Sequence, residues 1–123
     1  MIPVRRFAIV SALVALSLAA SARASELFSP ALRVDDLAVV VCSAVHFGSQ
    51  QDLLVEIFDA QSTSLLPVAS LNCPNERPGL ACDTAITNPG VSKFFFCKVT
   101  AARKSTVRAA IVNLETGATL EAR

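Results

Sequence analysis

A chain of 123 residues leaves room for one domain, and its 11 basic and 10 acidic side chains lack the basic excess of a nucleic-acid-binding surface. One histidine and four cysteines with no close C-x-x-C pair argue against a zinc site. The chain has no tryptophan and no tyrosine, the rings on which sugar-binding modules usually stack, which argues against carbohydrate.

Arg5 and Arg6 open a basic start, Phe7 to Ala20 is apolar or small throughout, and Ala22-Arg23-Ala24 follows. This three-part layout is that of a cleavable secretory signal peptide helix over residues 1–24, with a mature chain from Ser25. The apolar run is shorter than the roughly 20 residues of a spanning helix, so no membrane attachment is expected after cleavage. Its apolar strength favours the general secretion route over twin-arginine export. Arg5, Arg6 and Arg23 leave with the segment, so the domain, residues 25–123, keeps eight basic against ten acidic residues. Between Thr84 and Leu114 the charges are Lys93, Lys98, Arg103, Lys104 and Arg108, with no acid among them. That stretch reads as a solvated edge kept unpaired by its cations, or else as a patch for an acidic partner.

Ser25 to Pro30 reads as irregular, and Leu32 and Val34 alternate with charged residues as in a short edge strand. Leu37 to Phe47 (LAVVVCSAVHF) has no glycine, proline or charge, and its four valines suit a central strand. Gly48 to Gln51 is a turn by composition, and Leu53, Val55 and Ile57 then alternate along a third strand ending at Asp59. Gln61 to Ser64 is a polar loop. Leu65 to Leu71, broken by Pro67, predicts an edge strand or two short pieces. Ala85 to Thr87 reads as a short strand before an Asn88-Pro89-Gly90 turn. Lys93 to Thr100 (KFFFCKVT) is the second core strand, its phenylalanines read as core with Lys93 and Lys98 as flanking gatekeepers. A hairpin tip at Ala101 to Lys104 would return the chain along Thr106 to Leu114, with a last strand at Ala118 to Ala122.

Four cysteines in an exported chain read as two disulfides, for which three pairings are open. Cys73 and Cys82 bracket a loop with two prolines and a glycine, which suits a local staple and leaves Cys42 to pair with Cys97 across the core. Short strands with regularly spaced turns argue for an all-β sandwich or barrel. The two core cysteines, 55 residues apart on an early and a late strand, resemble the inter-sheet bridge of immunoglobulin-like domains. The resemblance implies an immunoglobulin-like antiparallel β-sandwich of about seven strands. Phe95, not tyrosine, lies two residues before the second cysteine, and no tryptophan follows the first. In general layout the chain is also similar to small secreted bacterial proteins of unknown function, a likeness that carries no activity.

Equipment for chemistry is sparse. His46 is the only histidine, Gly48-Ser49 the only nucleophile-like context, and Asp35-Asp36 a turn-like pair. No cofactor, metal or catalytic residue is expected. Two features suggest contact with another protein or with a second copy. One is the tethered loop Asn75, Glu76, Arg77 and Pro78, whose Arg77 could be presented as in an inhibitor loop. The other is the face opposite Cys42, carrying Leu37, Val39, Val41, Val45 and Phe47, unless a bulge or a terminal segment covers it. The leading expectation is therefore a non-catalytic, periplasmic or extracellular module acting through protein contacts. The alternatives are a secreted enzyme inhibitor or small hydrolase, and a carrier of a small apolar ligand between the sheets.

Overall fold

Along each strand, side chains alternate between the two faces, so one-sided apolar patterns need a second layer to bury them. In the computed structural model, which describes residues 25–123, that layer is a second sheet. The predicted signal segment 1–24 lies outside the described residues. The strands are β1 (Ser25–Phe28), β2 (Leu32–Val34), β3 (Val39–His46), β4 (Gln51–Asp59), β5 (Ala69–Glu76), β6 (Cys82–Thr87), β7 (Lys93–Ala101), β8 (Val107–Asn113) and β9 (Thr119–Glu121). One sheet has the order β1-β7-β4-β5, with β2 also beside β7; the other has the order β6-β3-β8-β9, and every pairing is antiparallel. The all-β sandwich expected from the sequence is what forms, with nine strands rather than about seven.

The interior follows the alternation. Val40, Cys42 and Ala44 of β3 and Val107, Ala109 and Ile111 of β8 face Leu53, Val55 and Ile57 of β4 and Phe95, Cys97 and Val99 of β7, all buried. Each fully buried Val, Leu or Ile contributes about 1.5–3 kcal/mol by leaving water. Cys42 bonds Cys97 between the sheets, and Cys73 bonds Cys82 where β5 and β6 meet at one margin.

Several expectations are corrected, each for a physical reason. Phe94, Phe95 and Phe96 cannot all be core, because a strand's period of two sends the outer pair to one face and the middle residue to the other. Only Phe95 is buried. Phe96 stacks on Phe58 across the outer face at 5.1 Å, and Lys98 Nζ stands 5.9 Å above the Phe58 ring. Ser25 to Phe28 is a strand rather than irregular chain, because it pairs with the open side of β7, Ser25 opposite Ala101. Pairing then resumes at Ser29, whose N–H donates to the Cys97 carbonyl while its hydroxyl accepts the Cys97 N–H. Leu65 and Leu66 belong to an exposed loop, and β5 starts only at Ala69, beyond Pro67.

The largest correction concerns the expected hairpin after β7. β8 does not fold back on β7 but crosses to the other sheet, beside β3. Gln51, read as a turn residue, is buried and starts β4. Its side-chain oxygen accepts the Arg103 N–H at 3.0 Å, and its amide nitrogen donates to Thr106 Oγ1 at 3.0 Å. Arg103 in turn donates to the Ser49 and Gln50 carbonyls. These bonds pin the 3-10 turn Lys104–Thr106 against the β3–β4 connection and launch β8 along β3. At the opposite end, buried Asn88 donates to the Asp36 and Val91 carbonyls, fixing the connection into β3. The Ser92 hydroxyl and Arg33 both hold the nearby Asp35 carboxyl below its ordinary range.

Candidate functional site

β5 continues through Cys73 to Glu76, so Asn75 and Glu76 are strand residues and only the turn beyond them is loop. The Leu80 N–H donates to the Arg77 carbonyl at 3.3 Å across Pro78 and Gly79, and Gly79 has φ +82°. Proline then a positive-φ glycine at the central positions is the chemistry of a type II turn. Arg77, Pro78 and Gly79 are exposed, and Arg77 makes no ion pair among the described residues. Arg77 therefore heads a tight turn rather than an extended segment.

His46 lies beneath this turn and is fully buried. With Nε2 2.6 Å from the Glu76 carbonyl, the ring donates there, and the His46 carbonyl accepts the Gly79 N–H at 2.9 Å. Asp52 accepts the Asn75 N–H at 2.8 Å, at a residue whose φ is +50°. The loop is thus held by a disulfide, a ring, a main-chain bond and a carboxylate. The other ring nitrogen, Nδ1, meets no hydrogen-bond partner among the described residues. The one hydrogen bond the ring makes among the described residues anchors the loop. Gly79→Ala should lower stability by about 1–2 kcal/mol, measured by denaturant unfolding, because an added Cβ meets nothing within 4 Å and the cost is the left-handed backbone alone.

The outer face of β3 is the second feature. β3 pairs residue for residue with β6 and with β8, so no bulge switches its faces. β9 lies beside β8 rather than over this face, and β1 belongs to the other sheet. Leu37, in the bend before β3, is 69% exposed, Val39 is 39% exposed and Phe47, just past the strand, is 66% exposed. Val41 and Val45 are half-buried. The row is not wholly apolar, however. Ser43 lies on the same face and donates to Asp83 across the ladder, dividing it. Leu37, Val39 and Val41 remain on one side, with Val45 and Phe47 on the other.

Sequence reasoning missed what widens the first area. Ala85 and Val112 flank Val41 on β6 and β8, and Leu114, 60% exposed, donates its N–H to the Val39 carbonyl. Alternation within TVRAAIVNL gives Val112 and Leu114 a common face, but only the pairing with β3 places them beside Val39 and Val41. A shallow groove of about 330 Å³ on the opposite sheet, lined by Phe28, Phe58, Leu65, Phe96 and Lys98, was also missed, since Phe96 was assigned to the core and nothing local links it to Phe28 or Phe58. Among the described residues no group of three or more His, Cys, Asp or Glu is placed to hold a metal ion. No protein-family model, curated protein or solved structure matches the chain.

Proposed function

We propose that the protein is an exported, non-catalytic module that acts through protein contacts in the periplasm or outside the cell, using the outer face of the β6-β3-β8-β9 sheet. The observation that carries this reading is the apolar area of Leu37, Val39, Val41, Val112 and Leu114, which no described segment covers. Contiguous apolar surface of this kind marks an interaction site more often than a bare exterior. The anchored turn at Arg77 lies at the other end of β3, against His46, and presents a second, rigid polar feature. Two disulfides suit an oxidising compartment, which supports the export reading of residues 1–24. The bridge between sheets supports the immunoglobulin-like likeness. The departure is β8, which joins the sheet opposite β7, whereas in the immunoglobulin layout the strand that follows the second-cysteine strand stays in its sheet.

The test is a pair of substitutions, Leu37→Glu and Val39→Glu, in the exported protein. Because both side chains are exposed, stability should change by no more than about 0.5 kcal/mol. Native mass spectrometry should show a chain of a different protein associated with the unsubstituted protein and none with the variants. Unfolding of the variants would show the face to be core, and an unchanged complex would place the contact elsewhere.

A further inference from the structure

A sandwich of two open sheets has four edges, each a row of main-chain groups that a foreign strand can pair with unless something blocks it. Three of the four are blocked. β1 and β2 are short, separated by Ser29–Ala31 with Pro30 between them, and Phe28 exchanges main-chain bonds of 3.0 and 2.9 Å with Arg123. β9 is only three residues long and leads directly into that contact. β5 contains Pro74, which has no N–H to offer, and then the positive-φ Asn75.

β6 has none of these devices. It runs for six residues without proline or lysine and pairs with β3 without a register shift. Over residues 83–87 its main chain makes no bond beyond that ladder among the described residues, and Asp83, Ala85 and Thr87 are exposed. The disulfide at Cys82 ties down only its first residue.

We infer that β6 pairs antiparallel with β6 of a second copy, joining two four-stranded sheets into one of eight about a two-fold axis at Ala85. The inference rests on the reading of the protein as a contact module and names the partner at this edge. A second copy fits because the pairing is self-complementary, as a two-fold interface requires. Centred on Ala85, it sets Asp83 opposite Thr87 and Thr84 opposite Ile86. No like charges meet, and the β-branched Thr84 and Ile86 lie side by side. The Asp83 carboxylate is already engaged by Ser43 on its own chain. The smallest side chain of the strand lies on the axis. Joining the edges also brings the two apolar faces together across the seam, so that Val41 and Ala85 of each copy form one wider surface.

The experiment is sedimentation velocity on the exported protein over a concentration series, with four variants. The unsubstituted protein should dimerise. Ala85→Lys puts two cations opposite each other on the axis and should raise the dimer dissociation constant at least tenfold, with thermal unfolding unchanged at dilutions where both proteins are monomeric. Ala85→Cys should crosslink to its copy on mild oxidation, while Thr119→Cys on the opposite edge should not. A monomer at all concentrations would overturn the inference, as would a dimer that Ala85→Lys leaves intact and Ala85→Cys fails to crosslink. Val39→Glu separates the two readings, since a dimer lost in Val39→Glu but kept in Ala85→Lys means that the copies meet through the sheet face. That outcome sinks the edge pairing and keeps the contact module.

Discussion

Replacing Cys42 and Cys97 together with alanine is expected to lower stability by about 4 kcal/mol, against nearer 3 for the Cys73 and Cys82 pair. The estimate comes from the loop each bridge closes in the unfolded chain, 55 residues apart in one case and 9 in the other. A domain of this size has about 5–15 kcal/mol in total, so the longer bridge is a large share of it. The corresponding fall in melting temperature is about 15–30 °C for the longer bridge. Calorimetry on the two double variants checks the order. A larger effect from the short bridge would mean that the unfolded chain already holds residues 42 and 97 close together, so that the link removes little freedom.

His46→Ala is expected to cost about 2–4 kcal/mol, a loss with two sources. Removing the ring leaves a void at a fully buried position, and it strips the Glu76 carbonyl of its 2.6 Å donor. The turn from Arg77 to Leu80 should loosen with it, seen as faster amide exchange at Gly79, whose N–H binds the His46 carbonyl. His46→Gln keeps an N–H that can reach the Glu76 carbonyl and should recover part of the loss. A hydrolase using this histidine would behave oppositely, losing turnover with its stability intact. Unchanged unfolding in His46→Ala would therefore remove the anchoring role and reopen a chemical one.

The turn and the sheet face differ in how visible they were beforehand. Asn75, Glu76, Arg77 and Pro78 stood out as a cysteine-bracketed loop, but nothing in the sequence linked them to His46, 30 residues earlier than Glu76. Leu37, Val39, Val41, Val45 and Phe47 could be placed opposite Cys42 by counting alternate residues. Their neighbours Ala85, Val112 and Leu114 could not, because they lie 40 or more residues away along the chain.

The sequence by itself determined which side chains of each strand share a face, since the two-residue period is a property of the local backbone. That was enough for the layered all-β class, the inward set on β3 and the third strand ending at Asp59. The tertiary structure alone decided which strands are neighbours, because pairing depends on groups far apart in the chain. Gln51 holding Arg103 and Thr106 sends β8 across to β3, Ser29 carries the edge past Pro30, and Arg123 closes β1. Each acts through one or two hydrogen bonds to a distant residue. None of these polar residues carries a periodicity that could mark it beforehand.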